Sequence, residues 1–151
     1  MAGDRIEREV LIAAPVDVVW EVISRPEHIV HWLSDEAQLA LRPGEEGVLN
    51  MDGTPYDLRF ETVEPPHLLS FRWVYPRGEV PRPGNSTVVA FTLTDEGGQT
   101  RLTVVENGLD LMPWPDDERQ GFVESHSAGW TKCLERLAAY APTAPRPLAH
   151  P

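Results

Sequence analysis

The chain has 151 residues, a formal net charge of −11 at pH 7 and a single cysteine. This length suits one domain with a substantial core, and one cysteine excludes an internal disulfide. The negative charge argues against nucleic acid and anionic membranes as partners, because both would repel the surface unless a basic patch offset it. The first residues, MAGDRIERE, lack the apolar core of a signal peptide, and no apolar run is long enough to span a bilayer. We therefore expect a cytoplasmic protein that does not bind membranes.

The first elements are predicted to be one strand and two short helices. Residues 5–12 favour a β-strand, because apolar and charged side chains alternate along most of it. Pro15 then suits the first turn of a helix, where its missing N–H is not needed. The apolar residues that follow lie at steps of three and four: Val16, Val19, Trp20 and Ile23. A second short helix is expected to start at Pro26.

Residues 34–107 predict six further strands, separated by turn clusters rich in Pro, Gly and Asp. Consecutive hairpins imply an antiparallel sheet. The inward faces of three of these strands carry large aromatic side chains: Tyr56, Phe60, Phe71, Trp73 and Phe91. Two interpretations stay open, because such residues either line a pocket for a flat or apolar ligand or simply fill the core.

The chain closes with a long amphipathic helix. Asp116 is expected to cap it, and Pro142 to end it near Ala141. Residues at steps of four and three form its apolar face: Phe122, His126, Trp130, Leu134, Leu137 and Ala141. The sheet is the large partner that could cover this face. We expect residues 1–141 to form one domain and residues 142–151 to be a disordered tail.

Two polar residues lie on faces that are otherwise apolar. Glu106 follows Leu102 and Val104 on the inward face of the last strand, and His126 lies on the inner face of the helix. A few polar groups in an apolar concavity are what orient a small ligand. If both residues enter one cavity, Glu106 would raise the basicity of the imidazole and the two could transfer protons. Alternatively, Glu106 reaches solvent or pairs with an arginine, and His126 only bonds to the sheet.

Other candidate sites are less well supported. His28, His31 and Asp35 do not supply the three or four convergent ligands of a zinc site, so we expect no metal, and no motif indicates a cofactor. Cys133 is interpreted as a buried thiol, not a nucleophile. Trp32 and Trp114 come from connecting segments that could border a cavity mouth; alternatively, Trp32 fixes the helix pair to the sheet.

The element order and two segments resemble a known superfamily. The segments are IAAPVDVVWEVISRPEHIVHW and HSAGWTKCLERLAAY. Together they are similar to the START-like superfamily (SRPBCC, or Bet v 1-like), in the branch related to the C-terminal domain of the activator of Hsp90 ATPase. The resemblance covers about residues 4 to 141. It implies an α+β helix-grip fold, in which a curved antiparallel sheet of seven strands wraps around the last helix and leaves an internal cavity.

The resemblance leaves the function open, because members bind lipids, hormones or polyketides and a minority catalyse cyclisation or hydrolysis. We prefer a cytoplasmic binding protein for a hydrophobic or aromatic small molecule, and we favour a non-catalytic role for it over an enzymatic one. The alternatives are a chaperone-associated interaction module and a polyketide cyclase- or aromatase-like enzyme; the catalytic residues and the choice between monomer and homodimer stay open. The predicted ligand-binding residues are Trp32, Tyr56, Phe60, Phe71, Trp73, Phe91, Glu106, Trp114, His126 and Trp130.

Overall fold

A computed structural model describes residues 5–39, 42–51, 53–74 and 78–144. The strands are β1 (Ile6–Ile12), β2 (Glu36–Gln38), β3 (Glu46–Met51), β4 (Thr54–Glu64), β5 (Leu68–Val74), β6 (Ser86–Glu96) and β7 (Gln99–Asn107). The helices are α1 (Val16–Ser24), α2 (Pro26–Ile29) and α3 (Asp116–Tyr140), with 3₁₀ turns at Leu109–Leu111 and Ala141–Thr143. The predicted α+β helix-grip fold is confirmed.

All seven strands belong to one antiparallel sheet in the order β1-β7-β6-β5-β4-β3-β2. Strand β1 closes one edge by pairing with β7, so that Ile6 lies opposite Glu106. On the other side of β7, Val89 of β6 also lies opposite Glu106. The pairing of β4 with β5 shifts between Phe60 and Thr62, and such a bulge bends a strand. Glu106 therefore lies in the interior of the sheet, one strand from its edge.

Helices α1 and α2 are separate because of proline. Pro26 disfavours helical geometry in the residue before it, and Arg25 is extended, with φ −96° and ψ 133°. Beyond α2, the indole Nε1 of Trp32 donates a 2.8 Å hydrogen bond to the carbonyl of Val22, and its ring meets Phe91 edge-on. Trp32 thus fixes the helix pair to the sheet, as one of the two interpretations expected.

Helix α3 covers the inward face of the sheet with the predicted stripe. Trp130, Leu134 and Leu137 are buried on it, and Ala141 just beyond it is buried too. The expected cap is wrong, since Pro115 occupies the cap position and Asp116 is the first helical residue. The Asp116 carboxylate instead accepts a hydrogen bond from Arg119, within the first turn of the helix.

The ends of the described chain bear on two further expectations. Residues 142–144 of the predicted tail are described, and a 3₁₀ turn includes Pro142 and Thr143; residues 145–151 lie outside the described residues. No helix in the described ranges is long and apolar enough to cross a membrane.

Candidate functional site

A cleft of about 520 Å³ opens between α3 and the strands β3 to β5; we call it the helix cleft. Its lining residues are Leu33, Met51, Thr54, Tyr56, Trp73, Ser125, His126, Gly129, Trp130 and Cys133. Helix α3 contributes half of this lining from one face, and the β3–β4 hairpin contributes most of the opposite wall. The helix cleft therefore lies where the sheet and the last helix separate.

Glu106 lies beneath the helix cleft, with none of its surface exposed. Its Oε1 accepts hydrogen bonds of 3.0 Å from both His126 Nδ1 and Trp130 Nε1. Its Oε2 accepts a 2.6 Å hydrogen bond from Thr87 Oγ1. The alternative in which Glu106 reaches solvent or pairs with an arginine is therefore wrong, because the carboxylate is fully buried and bonds to His126, Trp130 and Thr87.

The surroundings of Glu106 determine its charge. Burial by itself raises the pKa of this carboxyl, but the hydrogen bond and charge of His126 and the hydrogen bonds of Thr87 and Trp130 oppose it and prevail. The net effect is that the pKa of Glu106 lies below its ordinary value. Glu106 is thus an ionised carboxylate at neutral pH, held in place by three donors.

The charge of Glu106 fixes the proton on the imidazole of His126. A carboxylate can only accept hydrogen bonds, so Nδ1 of His126 must carry the proton in the bond between them. In a neutral ring, Nε2 is then the unprotonated nitrogen. The His126 side chain is 27% exposed and lines the helix cleft. The arrangement presents a basic nitrogen supported by a buried negative charge.

Aromatic stacking covers one face of the His126 ring. Its ring lies 3.7 Å from that of Phe122, centroid to centroid, and nearly parallel to it. Phe122 contacts Trp114 in turn, at 4.9 Å. Trp114, which the sequence placed at a cavity mouth, is not part of the described lining of the helix cleft; it contacts Phe122, which stacks on His126. Its place is behind the site.

Arg119 is a structural residue that sequence reasoning missed. Its guanidinium donates to the backbone carbonyls of Leu109, Met112 and Trp114, at 3.1 to 3.2 Å. These bonds tie the segment between β7 and α3 to the first turn of the helix, and so hold Trp114 against Phe122. An arginine at a helix start carries no sequence signal for this role, because its acceptors are main-chain atoms.

The predicted aromatic residues divide into two groups. Tyr56, Trp73 and Trp130 line the helix cleft together with His126. The others surround a void of only about 10 Å³ beneath α1 and α2 and fill the core: Trp32, Phe60, Phe71 and Phe91. The core-filling interpretation is thus confirmed for these four residues, and whether the residues of the helix cleft bind a ligand stays a prediction.

Three features of the helix cleft bear on what it could hold. The indole Nε1 of Trp73 is buried and has no hydrogen-bond partner among the described residues. Burial raises the pKa of the Cys133 thiol, so this thiol is neutral at physiological pH. Gly129 leaves room, because a Cβ at this position would meet no atom within 4 Å.

A second concavity, of about 510 Å³, lies elsewhere on the sheet and differs in character. Its lining includes four charged residues: Glu46, Asp57, Arg59 and Glu79. It has no aromatic side chain among its described lining residues. Arg59 forms a 2.5 Å ion pair with Glu46, while its Nε is buried without a hydrogen-bond partner among the described residues. The helix cleft is therefore the better candidate for a small-molecule site.

His28 and His31 make contacts of another kind. Nδ1 of His28 lies 2.7 Å from the hydroxyl of Tyr140, and the ring of His31 stacks on Tyr140 at 4.5 Å. Over the described ranges, no three His, Cys, Asp or Glu side chains converge as metal ligands would. The two histidines thus join α2 and the turn that follows it to the end of α3.

A sequence profile described as Activator of Hsp90 ATPase homolog 1-like protein matches residues 13–141. The chain belongs to this family. The resemblance inferred from the two sequence segments is thereby confirmed. No curated protein matches the sequence of this AHSA1-like chain.

Solved structures agree with the family assignment. Protein MLL2253 from Mesorhizobium loti superposes with a TM-score of 0.78 at 23% identity, over 93% of this chain and 98% of its own. The Aha1 dimer from Colwellia psychrerythraea superposes with a TM-score of 0.75 at 15% identity, over 91% of this chain and 95% of its own. These two show the fold alone. DynU16, a protein from the dynemicin biosynthetic locus, gives 0.75 at 30% identity over 95% of this chain, which spans 49% of the DynU16 chain.

Proposed function

We propose that this AHSA1-like domain binds a flat, largely apolar small molecule in the helix cleft. The volume and lining of the cleft carry the proposal. Ligand sites typically enclose about 300–1,000 Å³ and combine apolar walls with a few polar groups. The helix cleft is an open concavity of about 520 Å³, and its walls are aromatic and aliphatic apart from His126 and three small hydroxyl or thiol side chains.

The buried carboxylate beneath the cleft supports a ligand site over a purely structural one. Burying a charge is costly, and apolar replacement of a buried ion pair is often neutral or favourable for stability. Glu106 is nevertheless fully buried, and its bond to His126 leads directly to the wall of the helix cleft. A role in orienting a cleft residue accounts for a group that stability alone does not require.

Similarity and charge narrow the ligand class. The 30% identity with DynU16, which comes from a biosynthetic locus, supports a small molecule over a macromolecule as the ligand. The net charge of −11 opposes the approach of anions. A neutral or weakly polar aromatic compound fits these constraints better than a fatty acid does.

The compartment and the oligomeric state belong to the same proposal. A free, half-buried thiol at Cys133 suits a reducing compartment, so we place the protein in the cytoplasm. It would act there as a monomer or a homodimer, without a cofactor. Aha1 from Colwellia psychrerythraea is a dimer in its solution structure, which supports the second state only by analogy.

Tryptophan fluorescence tests the proposal, because Trp73 and Trp130 line the cleft. We would titrate the protein with flavonoid-like aromatics, phenolic polyketide mimics and fatty acids. Saturable quenching by the aromatic compounds is the expected result. A flat response to the whole panel, with cooperative unfolding intact, would contradict the proposal and favour a protein partner.

A pair of glycine variants makes this test specific to the cleft. Gly129→Leu places a side chain into the open space of the cleft, whereas Gly121→Leu places the same side chain on an exposed turn of α3. Both remove a helical glycine, so both should gain similar helix propensity. We expect Gly129→Leu to weaken binding at least about tenfold, equivalent to about 1.4 kcal/mol, and Gly121→Leu to leave it unchanged.

A further inference from the structure

Building on the proposed function, we propose that His126 accepts a proton from the ligand, and that the ligand is a neutral molecule with a weakly acidic hydroxyl group: a phenol or an enol. This proposal specifies the chemical class of the ligand and identifies the proton acceptor in the helix cleft. Three observations carry this: the tautomer that Glu106 imposes, the burial of that carboxylate, and the position of the imidazole in the wall of the cleft.

Nε2 is the nitrogen of His126 that is available to a ligand. Nδ1 is engaged by Oε1 of Glu106 at 3.0 Å, and the acceptor is ionised, so Nδ1 holds the proton. When the ring is neutral, the lone pair is on Nε2, the nitrogen that is not bonded to Glu106. A hydroxyl group in the cleft could donate to this lone pair. A ligand that offers only acceptors could not bond to the neutral ring.

Glu106 stabilises the charge that proton transfer creates. If Nε2 takes a proton, the imidazolium lies in direct contact with the Glu106 carboxylate, which is fully buried and weakly screened. Thr87 and Trp130 hold the carboxylate through separate hydrogen bonds, so it keeps its orientation while His126 changes charge. The carboxylate therefore stays beside the imidazole in both charge states of the ring.

The proton transfer balances without any other reactant. The O–H bond of the ligand breaks, its electron pair remains on oxygen, and the proton forms a new bond with the Nε2 lone pair. The products are a phenolate or enolate and an imidazolium, in contact with each other. No oxidant, metal or further reactant is needed.

The surroundings favour a ligand that enters uncharged. A carboxylate ligand would arrive already negative, against the net charge of −11 and above the carboxylate of Glu106. The other titratable side chains in the described lining are Tyr56 of β4 and Cys133 of α3. The thiol stays neutral because burial raises its pKa, so it does not compete as an anion. Flat aromatic walls at Tyr56, Trp73 and Trp130 suit the ring that makes a phenol acidic.

Two chromophoric probes separate this inference from the proposed function. The probe 4-nitrophenol changes its absorption band when it ionises, and 4-nitroanisole has the same ring without the acidic hydroxyl. Both should bind if the helix cleft accepts aromatic rings. The phenol should bind about tenfold more tightly, as expected for a hydrogen bond with charged character. It should also show the phenolate band at a lower pH than the free probe does.

Histidine variants assign the effect. In His126→Gln, the amide can still form a hydrogen bond but cannot take the proton. We therefore expect the phenolate band of the bound probe to appear at the same pH as that of the free probe. Binding of 4-nitroanisole should persist. His31→Gln is the matched control, since His31 contacts Tyr140 outside the helix cleft, and it should behave as the wild type. Circular dichroism verifies that both variants fold.

Three other results would contradict the proton-transfer inference, and one of them would also contradict the proposed function. Equal affinity for the two probes with no phenolate band in the wild type would overturn the inference and leave the proposed function standing. A phenolate band unchanged in His126→Gln would also overturn it, because another group would then be the proton acceptor. Failure of both probes to bind the wild type would overturn the inference together with its basis, an aromatic site in the cleft.

Discussion

Glu106 and His126 are joined by a 3.0 Å contact between Oε1 and Nδ1 that links the interior of the sheet to the last helix. One partner is completely buried and the other lines the helix cleft. A buried carboxylate is therefore hydrogen-bonded directly to a residue in the wall of the helix cleft. Both the proposed ligand site and its proton acceptor depend on this pair.

Removing the carboxylate of Glu106 should destabilise the fold. Glu106→Ala leaves three donors, on Thr87, His126 and Trp130, without their acceptor. An unsatisfied buried polar group costs about 1–3 kcal/mol, and the exposed part of His126 can turn to water, so we expect a loss of about 3 kcal/mol. Urea denaturation measures it. Thr87→Val, which removes one of the hydrogen bonds, is the comparison and should lose about 1 kcal/mol; equal losses in the two variants would contradict the network.

The lowered pKa of Glu106 predicts a dependence of stability on pH. Its folded-state pKa lies below the unfolded value of about 4.3. A group of this kind contributes its full stabilisation above the unfolded value and loses it as the pH falls through the folded-state pKa. Stability should therefore decline below about pH 5, and more steeply in the wild type than in Glu106→Gln. Thermal unfolding from pH 6 to pH 3 tests this, and parallel curves would show that Glu106 is not the group responsible.

Arg119 is expected to stabilise the segment that supports His126 from behind. Arg119→Ala removes three hydrogen bonds to main-chain carbonyls and should cost about 1–2 kcal/mol, since these groups can turn in part to water. Arg136→Ala is a suitable control, because Arg136 is exposed near the other end of α3. Hydrogen exchange should show faster exchange at Met112 and Trp114 in Arg119→Ala alone. Unchanged exchange there would mean that the segment is held by other contacts.

Sequence periodicity placed Glu106 and His126 on the correct faces but could not predict that they are in contact. Alternation along β7 placed Glu106 inward, and the steps of four and three on α3 placed His126 on the inner face. Their contact depends on how the helix is positioned along the sheet, which side-chain packing from distant segments determines. No local pattern encodes that position.

The aromatic residues show the same limit. Alternation correctly placed Phe71 and Trp73 on one face of β5, yet only Trp73 borders the helix cleft. The difference arises because α1, α2 and Trp32 cover one part of the sheet and leave the other part to α3. Alternation along a strand predicts which face of the sheet a residue lies on, but it does not predict which helix covers that residue. The cleft residues Gly129 and Ser125 were missed for a related reason, since small residues on a helix carry no periodic signal.

The most direct test of the central claim is the response of the indole N–H signals in ¹H–¹⁵N NMR spectra during titration with a neutral phenolic ligand. Trp73 and Trp130 line the helix cleft, whereas the indole of Trp32 is bonded to Val22 in the core. We expect the Trp73 and Trp130 signals to shift along one saturating curve while the Trp32 signal stays in place. Signals of all five tryptophans that remain unchanged, or shifts confined to residues outside the helix cleft, would contradict a ligand site in the cleft.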